Sequence, residues 1–197
     1  MNKSVVVLID IDDTMANLVQ PWCRWLNEAY FLGVEYEDIT SWNMRDFFPN
    51  LTEEQVFEPL HTDDFWESVE AIKDAPRYVK QLIDDGYDVY VCTASFVDTI
   101  KSKFKCVLGR YFPFIPWNKV IITKNKQLIK GDILIDDGIH NLKGGAYKKI
   151  LMSAPHNRGY DAESNGMTRV NTWAEAYDAV RACAADILRE DNNDESY

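Results

Sequence analysis

The chain has 197 residues, 46% of them apolar, enough to bury the core of one domain with a sizeable insertion. Its 32 acidic residues outnumber 21 basic ones, and a net charge of −11 argues against wrapping a nucleic-acid duplex or coating an anionic membrane, which need clustered Lys and Arg. No apolar stretch approaches the ~20 residues that cross a bilayer, the run before Asp10 is too short for a signal-peptide core, and Cys23, Cys92, Cys106 and Cys183 show no paired or metal-binding spacing, so reduced thiols in a cytoplasmic protein are expected.

The first expected element is a strand over 5–9, five consecutive β-formers that end in Asp10-Ile11-Asp12-Asp13-Thr14. Alternate residues of an extended chain point the same way, so Asp10 and Asp12 can face one ligand at the strand's mouth. Two anions held so close repel unless a cation or a proton lies between them. The interval 17–74 then carries helical patterns over 18–31 and 53–60, a loop around 39–50 and four of the six tryptophans, Trp22, Trp25, Trp42 and Trp66. Inserted just after the first strand, it is expected to cover the sheet's active edge as a helical cap.

From there strands and helices alternate. A helix is expected over 75–85, with Val79, Leu82 and Ile83 at helical spacing, Pro76 in the first turn and Gly86 as the stop. Strands follow over 87–92 closing at Thr93, over 119–122 closing at Thr123, over 133–135 closing at Asp136-Asp137, and over 150–153 running into Ala154-Pro155-His156-Asn157. Helices are expected over 97–111 and 173–188, the latter with Thr172 as N-cap, and the polar acidic stretch 190–197 is expected to fray.

This order implies an α/β protein with a Rossmann-like, three-layer parallel sheet, its core formed by 1–16 and 75–189 and its small cap by 17–74. In a parallel sheet the strand C-termini share one edge, so Asp10, Asp12, Thr93, the loop from Thr123 to Lys126 and Asp136-Asp137 should converge where open α/β sheets bind ligands. They supply the parts of phosphoryl transfer. Asp10 can attack phosphorus and Asp12 can move the proton. Asp10 with Asp136-Asp137 can hold Mg²⁺, Thr93 and nearby backbone N–H groups can hold a phosphate oxygen, and Lys124 or Lys126 can supply positive charge.

Asp-x-Asp-x-Thr at Asp10, Asp12 and Thr14, the strand-end Thr93, a lysine before the last acidic strand and Asp136-Asp137 together resemble the four motifs of the haloacid dehalogenase (HAD) superfamily of phosphatases. Asp10 to Leu18, Thr40-Ser41-Trp42-Asn43, Val91-Cys92-Thr93, Ile122 to Lys126, Leu134 to Asp137 and Pro155-His156-Asn157 are similar to the 5′(3′)-deoxyribonucleotidase family. The resemblance implies Mg²⁺-dependent removal of phosphate from nucleoside monophosphates through an aspartyl-phosphate. By position it implies Asp10 as nucleophile, Asp12 as acid/base with its backbone carbonyl on the metal, and Thr93, Ala94 and Lys126 on the phosphate. Asp137 is implied as a direct metal ligand and Asp136 as one acting through water or a neighbour. Lys126 matches the family's lysine better than Lys124, three residues after Thr123 and ten before Asp136. Asp13 stands where many superfamily members carry Gly, Ala94 where animal relatives carry Ser, and Leu18 where an aromatic residue can cover the base.

Cap aromatics such as Trp42, Phe47, Phe57 and Trp66 can stack on a base, Trp42 first among them, whereas Trp22 and Trp25 read as cap core. His61 and His140 read as exposed, and His156 either supports the site or orients its loop. The expected partners are a small-molecule nucleotide and, as an open option, a second copy in a homodimer. Two rivals remain: a phosphatase of another small metabolite, and a phosphate-binding regulatory protein without turnover.

Overall fold

A computed structural model describes residues 4–194. Among these residues six strands, β1 (Val6–Ile9), β2 (Asp88–Thr93), β3 (Val120–Ile122), β4 (Ile133–Asp136), β5 (Lys148–Met152) and β6 (Met167–Val170), form one all-parallel sheet in the order β3-β2-β1-β4-β5-β6. From β1 the chain builds outward to β2 and β3, then crosses to β4 and builds the other way. The gap between β1 and β4 is therefore the switch point at which open α/β sheets leave a crevice.

The two-residue period of an extended chain sorts the strand side chains. Val7, Ile9, Ile133, Ile135, Ile150 and Met152 enter one apolar cluster, and Leu8, Leu134 and Leu151 enter another on the opposite face. Among the described residues eight α-helical segments surround the sheet: α1 (Val19–Tyr30), α2 (Glu53–Phe57), α3 (Asp63–Glu67), α4 (Ala75–Asp84), α5 (Ile100–Lys103), α6 (Gly109–Tyr111), α7 (Ile139–Leu142) and α8 (Trp173–Asp194). The first cluster is the larger. It joins Val79 and Leu82 of α4 and Trp173, Ala176 and Val180 of α8 to Trp22 and Leu26 of α1 and Phe65 and Trp66 of α3. The second face is covered more thinly, by Leu142 of α7 with Tyr147, Ala162 and Met167. No helix among the described residues is long and apolar enough to cross a membrane, and all four cysteines are unpaired.

The five expected strands are all present, and Thr172 caps α8 by accepting a bond from the Glu175 N–H at 3.2 Å. Strand β6 was not expected, because Thr168 and Arg169 interrupt its apolar pattern. It forms by pairing with β5. The expected helix over 97–111 is broken by a π-helical turn, Phe104–Leu108, between α5 and α6, and the helix over 53–60 tightens after α2 into a 3₁₀ turn, Glu58–His61, that carries Pro59. The short helices α3 and α7 were below the length at which periodicity is readable. Helix α8 continues past Leu188 to Asp194, so the first part of the stretch expected to fray is helical; 195–197 lie outside the described residues.

The indole of Trp173, 1% exposed, donates from Nε1 to the Thr14 carbonyl at 2.9 Å and so ties α8 to the loop after β1. Trp173→Phe keeps most of the apolar volume and leaves that buried carbonyl without its donor. Urea unfolding should show a loss of about 1–3 kcal/mol, and unchanged stability would mean the bond does not hold the loop.

Candidate active site

The loop after β1 is a tight turn. The Asp10 N–H still pairs with the Ile135 carbonyl at 3.0 Å, and the Ile11 carbonyl accepts from the N–H groups of Met15 and Ala16 at 2.8 and 2.9 Å. Asp13 sits in the left-handed region at φ 48°, which Asp tolerates better than most residues and Gly most easily. Its carboxylate does what Gly could not: it accepts from the N–H groups of Leu18 (3.1 Å) and Val19 (3.2 and 3.3 Å), capping α1. Burial first and then the charge of Asp137 push the Asp13 carboxyl up to about 8.

Two lysines are buried against the acids. Lys126 Nζ lies 2.6 Å from both Asp10 Oδ1 and Asp136 Oδ2, joining the ends of β1 and β4. Burial works against that ammonium, yet the charges of Asp10 and Asp136 outweigh it and raise its pKa above the ordinary value. Asp136 Oδ1 accepts from the Gly138 N–H at 2.7 Å and Asn141 Nδ2 at 2.9 Å, so both of its oxygens are engaged. A Cβ at Gly138 would stand 2.8 Å from Asn141 Nδ2, which explains glycine there. Burial raises Asp136 to about 6, with Lys126 pulling it back.

Asp137 is held less tightly. Thr14 Oγ1 approaches its Oδ1 at 3.5 Å, and His156 Nε2 lies 3.0 Å from its Oδ2 but out of line for a hydrogen bond. Asn157 Nδ2 fixes the backbone instead, donating to the Asp137 carbonyl at 2.9 Å and the Met152 carbonyl at 2.8 Å, while Arg169 donates to Asn157 Oδ1 at 3.0 Å. Burial and the charges of Asp136 and Asp10 push the Asp137 carboxyl well up.

The second buried lysine, Lys103, was not among the expected site residues. Its Nζ donates to Asp12 Oδ2 at 2.6 Å, to the Ala94 carbonyl at 2.9 Å and to Thr93 Oγ1 at 3.4 Å. Burial holds the Asp12 carboxyl above its ordinary value, with Lys103 pulling it only part of the way back. One signal was readable: Lys103 falls on the apolar stripe of its helix with Ile100, Phe104 and Val107, where a lysine must find a partner inside.

These groups line a cavity of about 670 Å³ that takes in Asp10, Asp12, Leu18, Trp42, Ala94, Lys126 and Asp137. Thr93 and Asp136 are fully buried just behind it. The Thr93 hydroxyl donates to the Ala94 carbonyl at 3.2 Å. Trp42 is 56% exposed, its ring edge-to-face with His140 (4.5 Å) and His156 (5.2 Å), so both histidines border the same mouth. Trp22 is buried with its Nε1 on the Val56 carbonyl, and Lys124 is exposed where Lys126 is buried.

Asp10, Asp136 and Asp137 each offer an oxygen within 4.8 Å of the others. Five carboxylates, with Asp12 and Asp13, thus crowd one edge against two buried ammoniums. A hard divalent cation fits this donor set, because it would relieve the repulsion that raises Asp137. Asp137, with no strong bond to its carboxylate, is free to ligate, whereas Asp136 is already occupied.

The parallel sheet and the acidic crevice define the class, an α/β protein with a HAD-like fold. A HAD family hydrolase from Deinococcus radiodurans R1, solved with bound phosphate and sodium, shares the fold at a TM-score of 0.62 and 15% identity, over 92% of this chain and 96% of that one. A family model described as 5′ nucleotidase, deoxy (Pyrimidine), cytosolic type C protein matches residues 3–185, and the chain belongs to that family. It is therefore a phosphoric monoester hydrolase of nucleotidase type. Among relatives, the 5′(3′)-deoxyribonucleotidase of Bacillus subtilis (strain 168) is 37% identical over 172 residues, covering 86% of this chain and 95% of the relative. The 5′(3′)-deoxyribonucleotidase of Clostridium acetobutylicum is 28% identical over 176 residues, covering 89% and 94%.

Asp13 carries a pH prediction. Its folded pKa of about 8 lies above the unfolded value of 3.8, so the folded state holds a proton that the unfolded chain has released, and stability falls as pH rises between the two values. In EDTA, wild-type protein should lose more stability to urea between pH 6 and pH 8 than Asp13→Asn, which keeps the left-handed turn and a cap without the charge. Parallel losses in the two proteins would rule this out.

Proposed function

We propose that the protein hydrolyses (deoxy)ribonucleoside monophosphates in a Mg²⁺-dependent reaction through a phosphoaspartyl group on Asp10. The observation that carries this reading is the placement of Asp10, held on the buried Lys126 ammonium and facing the cavity, with Asp12 two residues further on. A lysine ammonium has three donors, and Asp10 and Asp136 take two, so one remains for a phosphoryl oxygen.

An Asp10 carboxylate oxygen attacks phosphorus while the ester P–O bond breaks. Asp12, whose side chain is 24% exposed, gives its proton to the departing oxygen. The Asp12 carboxylate then takes a proton from water, the water oxygen bonds to phosphorus, and the Asp10–phosphorus bond breaks to release inorganic phosphate. The Thr93-Ala94 turn holds the phosphoryl group through its backbone, because the Thr93 hydroxyl is already engaged with Ala94 and Lys103. Asp10, Asp137 and the Asp12 backbone carbonyl would hold Mg²⁺, with Asp136 fixing Asp10 through Lys126, and the ion would neutralise the phosphoryl oxygens. The segment 17–74 acts as the cap, and its Leu18 and Trp42 flank the nucleoside. The aromatic wall at Trp42 favours a nucleobase over a sugar phosphate.

Phosphate release is to be measured from deoxy- and ribonucleoside monophosphates and from sugar phosphates, with Mg²⁺ and with EDTA. Turnover should require the metal and be fastest on nucleotides, and no metal-dependent turnover of any nucleotide would sink the substrate assignment. Asp10→Asn should lower kcat by about 10³-fold or more and abolish covalent phosphate labelling; retained labelling would remove Asp10 as nucleophile.

A further inference from the structure

We propose that Lys103 is a positioning residue that aims Asp12 at the leaving oxygen of the substrate, with the Trp66 indole of the 17–74 segment closing the ammonium's surroundings. The inference rests on the phosphatase reading above, in which Asp12 moves the proton. Lys103 Nζ has three N–H donors, and Asp12 Oδ2, the Ala94 carbonyl and Thr93 Oγ1 accept all three. None remains for a phosphoryl oxygen, which separates Lys103 from Lys126 and its spare donor. The ammonium therefore serves Asp12. The Thr93 backbone is held by its pairing with β3, so Thr93 Oγ1 and the Ala94 carbonyl anchor the ammonium, and the ammonium in turn holds the proton donor.

The surroundings leave the ammonium little freedom. The Lys103 side chain is 3% exposed, and its Nζ lies 5.4 Å from the centre of the Trp66 ring. Trp66, 2% exposed, is itself anchored by its Nε1 bond to the Leu60 carbonyl at 2.7 Å. A π-helical turn begins directly after Lys103 and supplies the local departure from regular winding that often accompanies a functional residue. A side chain that holds an acid in line contributes only where a proton must be delivered. In the first step Asp12 gives its proton to the ester oxygen as the P–O bond breaks and the Asp10–phosphorus bond forms. A poor leaving group such as a nucleoside alkoxide needs that proton, whereas p-nitrophenolate leaves as a stable anion.

The test compares Lys103→Met with wild type on a deoxynucleoside monophosphate and on p-nitrophenyl phosphate, reading kcat/KM because it ends at the first irreversible step, departure of the leaving group. The nucleotide value should fall by about 100-fold, and the aryl phosphate value by less than about threefold. Inhibition by inorganic phosphate should be unchanged, and in an Asp12→Asn background the lysine replacement should cost nothing further on the nucleotide. Equal losses on both substrates, no loss on either, or a tenfold weakening of phosphate inhibition would overturn the assignment. Circular dichroism and thermal melting establish folding; if the Met variant does not fold, Lys103→Gln is read by the same ratio and the same outcomes. Wild-type turnover of the aryl phosphate without any turnover of nucleotides would sink the nucleotide reading alone, and glycerol 2-phosphate then serves as the poor-leaving-group substrate.

Discussion

The structure depends on one buried contact, the Lys126 ammonium held between Asp10 and Asp136. It joins β1 to β4 across the point where the sheet changes direction, and all three side chains are buried. An ion pair so placed is not a source of stability in itself, since removing charges from water costs several kcal/mol for each ion. What it imposes is position. Asp136 must have its other oxygen satisfied, so Gly138 brings its N–H close and Asn141 turns its amide inward. Loss of Lys126 would leave both carboxylates buried without their counter-charge.

A second constraint follows from the count of charges. The sheet edge holds more carboxylate than ammonium, and burial pushes Asp12, Asp13, Asp136 and Asp137 towards the protonated form. Such an edge is stable only where the backbone is fixed well enough to hold like charges together. The turn at 11–16, the Trp173 bond to Thr14 and the Asn157 bonds behind Asp137 provide that fixing. These contacts touch no part of the cavity's centre, and they determine how closely its acids can approach.

The segment 17–74 takes part in the site's physical chemistry. Asp13 caps α1, so the loop after β1 and the first helix of this segment share one hydrogen-bonded joint. Trp66 reaches down to the Lys103 ammonium, and Leu18 and Trp42 wall the cavity. Surface ion pairs between the insertion and the remainder, His61 with Asp98 and Glu67 with Lys105, are exposed and contribute little by comparison.

Much of this was legible in the sequence. Short apolar runs closed by Asp10, Thr93 and Asp136-Asp137 specify buried parallel strands, and parallel strands place their ends on one edge, so both the sheet and the acidic cluster follow from local pattern and topology alone. What local pattern left open was which lysine serves the acids. Lys124 and Lys126 differ by two places in a basic loop, and only the folded chain buries one and leaves the other in solvent. Lys103 and Asn141 are harder still. They lie on helices whose rotation against the sheet is set by packing, and the partner of Lys103, Asp12, stands 91 residues away in sequence. The sequence by itself determined the strands and the order of the chemistry-bearing ends. Only the tertiary structure decided the pairing of the buried charges, because a charge inside a protein takes its partner from whatever the fold brings within about 3 Å.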